Sequence, residues 1–373
     1  MTAQPADIGM HVNDVDTPAL LIDLDAFESN LQSMAVMTSQ AGVKLRAHSK
    51  THKSPVIALK QVALGAVGVC CQKVSEAEVM VHGGVKDVLI TNEIVGRRKI
   101  ERLMALSRHA AIAVCVDNLE NIHALSQVAS SYATNLNVLV EIDVGAHRCG
   151  SAPGEPAYTL AQAVHDAHGL RFAGLQAYHG PAQHFRSYEE RRIAVEEATK
   201  LTRATRDLLR ERGLICDIIG GAGTGTFHFE AASHVYNEVQ AGSYIFMDAD
   251  YAKNYGRNGG PFQEFPHSLF ILATVMSVPN STVAVLDAGL KAVSVDSGMP
   301  TVYGIEGVTY IGASDEHGKI VFADTSRPLA LGEKIKLIPG HCDPTVNLYD
   351  WFVGIRNDRV EALWPIAARG PGY

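Results

Sequence analysis

Val43-Lys44-Leu45-Arg46-Ala47-His48-Ser49-Lys50-Thr51-His52-Lys53-Ser54-Pro55 runs from a short apolar segment through a basic element into a helix start. The unit reads as strand, loop, helix. A lysine at the mouth of a strand, with histidines two residues to either side, points to an amine kept for covalent chemistry. Free lysine has a pKa of about 10.4 and is a poor nucleophile at neutral pH. Desolvation or neighbouring positive charge activates it, and joining it to an aldehyde cofactor as a Schiff base goes further. The competing reading of Lys50 and its neighbours is a solvated basic loop.

Outward from this unit the pattern repeats. Candidate strands lie at 43–47, 68–71, 87–91, 111–116, 137–143, 171–177, 217–221 and 238–246. Helix-like segments between them include 75–81, 97–106, 119–129, 157–167 and 189–212. In the last, Ile193, Leu201, Ala204 and Leu208 recur at helical spacing and are expected to form the buried face. Eight such units predict an α/β fold, a parallel (β/α)8 TIM barrel. A doubly wound sheet is the alternative, but it usually has fewer strands.

After Pro266 the texture changes. Strands are expected at 268–278, 283–287, 308–312, 320–322, 333–337, 352–356 and 359–363, split by turn signals such as Asp315-Glu316-His317-Gly318, with no helix among them. This is a C-terminal all-β domain. Segment 19–23 is strand-like and is expected to pair with it. The expected division is a barrel over 25–255 and a β-rich domain from 1–24 and 256–373.

Composition narrows the function. The 373 residues are 47% hydrophobic and 19% charged, an ordinary globular profile of two-domain length. A net charge of -8 without a basic stripe argues against nucleic acid, and no polybasic amphipathic helix argues for a membrane. The polar start, with Asp7, Asp14 and Asp16, does not read as a secretory signal. Apolar runs are broken well before membrane-span length, the longest by Lys60 and Gln61. Cysteines 70, 71, 115, 149, 216 and 342 therefore read as reduced thiols of a cytoplasmic protein.

Barrel enzymes place functional residues at the C-terminal ends of their strands, and the unusual residues here fall there. Lys50 and His52 follow the first strand, Gln72 and Lys73 the second, and Thr91-Asn92 the third. Asp143 to Arg148 follows the fifth, Tyr178-His179-Gly180 the sixth, and Gln240-Ala241-Gly242-Ser243-Tyr244 lies on the eighth. Gly220-Gly221-Ala222-Gly223-Thr224-Gly225-Thr226 follows the seventh. Its glycines let the backbone approach an anion, and its amides and threonine hydroxyls suit phosphate, with Gly242 and Ser243 as further donors. It is neither a Walker loop nor a Rossmann fingerprint. His341-Cys342-Asp343-Pro344-Thr345 closes a strand of the second domain. If the strand continues, His341 and Asp343 share a face and grip one cation, while Cys342 points away. An imidazole and a carboxylate suit a harder divalent ion such as Mn2+ or Mg2+.

These elements together resemble the D-threonine aldolases of the fold-type III pyridoxal-phosphate group, which includes alanine racemase and the D-serine dehydratases. The resemblance covers nearly the whole chain. It rests on Thr17-Pro18-Ala19-Leu20 with Asp23, His48-Ser49-Lys50-Thr51-His52-Lys53 and Gln72-Lys73-Val74-Ser75-Glu76-Ala77. It continues through Asp143-Val144-Gly145 with Arg148, Tyr178-His179-Gly180, Gly223-Thr224-Gly225, Gln240-Ala241-Gly242-Ser243-Tyr244 and Pro339 to Thr345. One departure is Ala47, where the family usually has proline.

The resemblance implies pyridoxal 5'-phosphate on Lys50, with Lys53 as the other candidate. Gln72, Arg148, Tyr178, Gly223, Thr224, Gly225, Gly242, Ser243 and Tyr244 would surround it, with Arg148 near the ring oxygen and Tyr178 near the pyridine nitrogen. His341 and Asp343 would hold Mn2+, with Mg2+ or Ca2+ as alternatives. The implied reaction splits a D-β-hydroxy-α-amino acid into glycine and an aldehyde, with His184 or His179 taking the hydroxyl proton. The alternative on the same scaffold is β-elimination, as in D-serine or D-3-hydroxyaspartate dehydratases. There an HxC pair selects zinc, whereas Asp343 stands at the matching position here. A homodimer is also implied by resemblance.

Overall fold

The computed structural model describes residues 3–323 and 329–373. Strand β1 (Ala19–Asp23) leads directly into helix α1 (Leu24–Ala41), whose first turn is capped by the Asp23 carboxylate accepting from the Ala26 N–H. The barrel strands are β2 (Lys44–His48), β3 (Gly68–Cys71), β4 (Asp87–Glu93), β5 (Ala111–Val116), β6 (Leu136–Glu141), β7 (Leu170–Gln176), β8 (Ile218–Gly221) and β9 (Glu238–Val239). All pair in parallel, and β9 returns to β2 through Leu45 opposite Val239, closing the barrel. The expected TIM barrel is what forms.

Parallel strands covered on both faces read as near-continuous apolar runs, as Val69-Cys70-Cys71 and Val88-Leu89-Ile90 do. Alternate residues divide between two layers. Cys70, Leu89, Ala113, Cys115, Leu139 and Ala173 pack inside the barrel. Val69, Val88, Ile90, Val114 and Val138 pack outward against helix residues such as Met80, Leu103, Leu125 and Leu160. Each large side chain so buried contributes about 1.5–3 kcal/mol. Below the inner layer, buried Arg46 holds Glu238 at 2.5 Å and Asp87 at 2.5 Å. Removing one partner would strand the other charge, at about 3–5 kcal/mol.

Two sequence expectations fail here for physical reasons. The eighth strand does not reach residue 246: it ends at Val239, and Ser243–Ile245 form a 3-10 turn. The chain dips against β2 at Gly242, where a Cβ would meet Thr51 Oγ1 at 2.6 Å and the His48 carbonyl at 2.8 Å. The face expected for the long helix (Tyr188–Glu211) is also wrong. Ile193 is 48% and Leu201 43% exposed, and Ala204 is exposed too. The buried face is Val195, Ala198, Thr202, Thr205 and Leu209. Counting only apolar residues misses threonine. Thr202 and Thr205 donate to their own helix carbonyls at 2.8 and 2.9 Å, which removes the cost of burying their hydroxyls.

The C-terminal strands are β10 (Leu269–Asn280), β11 (Val283–Leu286), β12 (Thr301–Val302), β13 (Val308–Ala313), β14 (Gly318–Phe322), β15 (Lys334–Ile338), β16 (Trp351–Arg356) and β17 (Arg359–Pro365). They form one sheet in the order β13-β14-β11-β10-β1-β16-β17, with β15 pairing β10 and β12. As expected, 19–23 joins it, antiparallel to β10 and parallel to β16. Two features were not anticipated: strand β12, and a short helix, Cys342–Val346, where only strands were expected. Among the described residues, no helix is long and apolar enough to cross a membrane. All six cysteines are free.

A short strap draws the two parts together over the barrel mouth. The Ala249 and Asp250 N–H groups donate to the carbonyls of Pro339 (3.0 Å) and Gly340 (3.2 Å). Buried Asp248 accepts the Cys342 N–H at 3.1 Å. The segment bearing His341 and Asp343 is thereby seated beside the strand ends.

Candidate active site

A cavity of about 250 Å³ opens at the C-terminal ends of the barrel strands. Lys50, Gln72, Arg148, Tyr178, Gly223, Thr224, Gly242 and Ser243 line it, so eight of the expected residues meet there. His48, Thr51, Thr91, Gln176, Gln240 and Tyr251 complete much of the wall.

Lys50 sits on the 3-10 turn Ser49–Thr51 that ends β2. Its side chain is 43% exposed, and that exposure faces the cavity. Its Nζ lies 3.1 Å from Asp343 Oδ2. The Asp343 charge outweighs burial and raises the Lys50 pKa above its ordinary value. Asp343 is shifted the other way. Burial alone would raise it, but Lys50, then His341, hold it well below the usual carboxylate range. The flanking histidines do not add positive charge, contrary to the simplest reading of the sequence. Burial, then Lys50, keeps His48 well below its ordinary value, and burial takes His52 to about 4. His48 Nε2 lies 2.9 Å from the Gln72 amide and 3.1 Å from the Thr91 hydroxyl. Lys53 points elsewhere, with its Nζ 3.0 Å from Glu76.

The wall opposite is built for an anion. The N–H groups of Gly223, Thr224, Gly242 and Ser243 find no acceptor among the described residues. The hydroxyl of Thr224 is buried without a partner among the described residues. Unpartnered donors gathered on one concave surface fit a phosphate. Together with the lysine amine, they fit pyridoxal phosphate. Arg148 lies over the Tyr178 ring, 5.9 Å from its centroid. Two of the residues expected around the cofactor stand outside the cavity wall. The Gly225 N–H already donates to Gln183 Oε1 at 3.0 Å. The Tyr244 hydroxyl is buried on the far side of the turn, accepting from Gln61 at 3.0 Å.

The expected strand geometry of the cation pair is also corrected, because His341 caps a helix that contains Asp343. The Asp343 carboxylate nonetheless turns to the cavity through Lys50. His341 Nδ1 lies 2.7 Å from Asp296 Oδ2. A carboxylate only accepts, so Nδ1 carries the proton and Nε2 keeps its lone pair for a cation. The donor set therefore fits a divalent ion completed by water or substrate oxygens.

The two candidate bases differ in the same way. His184 Nδ1 lies 2.6 Å from Asp250 Oδ2, which leaves Nε2 free to accept a proton. Its ring lies 5.6 Å from that of Tyr251, which lines the cavity. His179 Nδ1 accepts the Ala182 N–H at 3.3 Å, so in the neutral ring Nε2 carries the proton. Spacing along the chain does not distinguish them, whereas their hydrogen bonds favour different tautomers.

A group that sequence reading missed lies beside Arg148. Glu93, Asp117 and Cys149 offer ligand atoms within 4.8 Å of one another, with buried Glu141 next to them. The carboxylates end or follow three successive strands, a signal that was available in the sequence. Burial, then the Glu93 charge, pushes Glu141 up to about 8. Between its unfolded value, about 4.3, and 8, the unfolded chain ionises while the folded one does not, so stability falls as pH rises. Glu141→Gln should raise Tm by roughly 2–4 °C at pH 8.5 and leave it unchanged at pH 4. Equal Tm changes at both values in scanning calorimetry would refute this.

The chain matches known proteins along nearly its whole length. The family model described as "Alanine racemase, N-terminal domain" matches residues 22–250, and that described as "Putative serine dehydratase domain" matches 268–355. The chain is 47% identical to the 3-hydroxy-D-aspartate aldolase of Paracoccus denitrificans (strain Pd 1222) over 99% of its own length and 96% of that protein's. It is 47% identical to the D-threonine aldolase of Arthrobacter sp over 98% and 96%. The crystal structure of D-threonine aldolase from Filomicrobium marinum superposes with a TM-score of 0.96, at 50% identity and 99% coverage of both chains.

Proposed function

Because the chain belongs to the alanine racemase N-terminal-domain family of pyridoxal-phosphate enzymes, we propose that it is an aldehyde-lyase that splits D-threonine and related D-β-hydroxy-α-amino acids into glycine and an aldehyde. The observation that carries the reading is the 3.1 Å approach of Asp343 to the amine of Lys50, which lines the cavity.

Lys50 is the attachment residue. Gly223, Thr224, Gly242 and Ser243 would hold the phosphate through backbone amides and hydroxyls, and Arg148 and Tyr178 would complete the cofactor's site. Bound there, pyridoxal phosphate supplies the electron sink that receives the bonding pair when Cα–Cβ breaks. His341 and Asp343 would hold a divalent ion, Mn2+ in our reading, which would supply a Lewis acid for the β-oxygen. His184 Nε2 accepts the β-hydroxyl proton, and its Nδ1–H stays on Asp250 as the ring becomes cationic. Loss of that proton lets the β-carbon leave as an aldehyde, and Cα takes up a proton to leave as glycine.

Asp296 fixes the His341 tautomer, so Asp296→Asn should weaken metal binding by about 10–100-fold. Competition with a fluorescent chelator measures this, and unchanged affinity would refute the assignment. The six free thiols suit the reducing cytoplasm, and the assembly in this reading is a homodimer. The decisive assay incubates the holoenzyme with D-threonine. Glycine and acetaldehyde support the reading. 2-Oxobutanoate and ammonia would replace it with dehydration.

A further inference from the structure

Asp250 is buried, yet it faces an imidazole and two cations. Its Oδ2 lies 2.6 Å from His184 Nδ1, its Oδ1 2.5 Å from Arg186 Nη2, and Lys253 Nζ stands at 3.9 Å. Burial alone would raise its pKa, but the hydrogen bonds from Arg186 and His184 hold it below the ordinary carboxylate value. It is therefore an ionised acceptor. We propose that Asp250 is the positioning residue of the reaction, holding the His184 ring in the tautomer and orientation that leave Nε2 free. This rests on the reading of His184 as the base.

The case is geometric. His184 ends a 3-10 turn, Pro181–His184, and its side chain is 47% exposed. A half-exposed ring on a short turn would otherwise rotate and exchange tautomers. Among the described residues, the ring's hydrogen-bond partner is Asp250, and Tyr251 packs beside it. The carboxylate is itself anchored from two sides. Its own N–H is pinned to the Gly340 carbonyl, and Arg186 also grips the Asp250 carbonyl and Asn254 Oδ1 at 2.8 Å each. One residue from it on the same strap is Ala249, and beyond that Asp248, which seats the Cys342 N–H. The strap thus locates the base and the His341–Asp343 segment against one another, which matters when both must reach one hydroxyl group.

A purely structural Asp250 would serve to anchor Arg186. The holoenzyme variants Asp250→Asn, His184→Ala and the double variant separate the two roles in a steady-state assay with D-threonine. An asparagine can offer its NH2 to Nδ1 and favour the other tautomer. Asp250→Asn should lower kcat by about 10–100-fold, less than or equal to the effect of removing the base, with KM within about twofold. Added to His184→Ala it should lower kcat no further, because it acts through that ring. An inactive His184→Ala beside a normal Asp250→Asn would overturn this inference alone. Multiplied losses in the double variant, or a loss in KM rather than kcat, would also overturn it and assign Asp250 a structural role. Full turnover in His184→Ala would instead overturn the base assignment on which it rests.

Discussion

Lys50→Ala should lose activity by about ten-thousand-fold or more, the scale on which removing the covalent residue acts in other nucleophilic enzymes. Borohydride reduction of the wild-type holoenzyme followed by peptide mapping should place the pyridoxyl label on Lys50. The variant should take no label there and lack the yellow colour of the attached cofactor. Lys53→Ala is the control. Its amine lies 3.0 Å from Glu76 and donates to the Gly370 carbonyl at 3.4 Å, so its loss affects packing of the C-terminal tail rather than the cavity. Label on Lys53, or full activity in Lys50→Ala, would remove the foundation of the proposed reaction.

Asp343→Ala has the second largest expected effect, and it should separate two functions. One of the two protein donors to the ion disappears, so metal affinity should fall by at least about 100-fold, and metal-dependent turnover with it. Cofactor attachment should survive and even become easier at lower pH. The sign follows from the ion pair. The Asp343 charge is the largest influence on Lys50 and favours the ammonium form, which cannot attack an aldehyde. Without it, the free amine persists to lower pH. A titration of cofactor absorbance against pH, run beside a chelator assay, measures both effects. A variant that keeps chelator-sensitive turnover, or that attaches cofactor only at higher pH, would contradict the assignment.

Much of the fold was legible because it is written in local patterns. Apolar runs such as Ala111 to Val116 set their strands to the residue, and Gly68 to Cys71 did the same. The long helix was found but its face was not, because Thr202 and Thr205 bury their methyls while satisfying their hydroxyls internally. The eighth strand was drawn too long, because close approach at Gly242 is a contact with residues far away in sequence. The candidate site divided likewise. Lys50, Gln72, Arg148, Tyr178 and the glycine-rich turn announced themselves at strand ends. Tyr244 and Gly225 lay near enough in sequence to be drawn in, although their polar atoms are engaged elsewhere.

From its sequence alone, this protein is a (β/α)8 barrel with a β domain, and the proposed attachment lysine and phosphate-binding turn are legible there. Periodicity and glycine placement are properties of neighbours along the chain, so they can be read there. Tertiary structure alone decided that Asp343 meets Lys50, that Asp296 and Asp250 select the free nitrogens of His341 and His184, and that Glu141 is buried beside other carboxylates. Each depends on where a side chain points after distant segments have packed, and hydrogen-bond geometry at about 3 Å is not encoded in any local pattern.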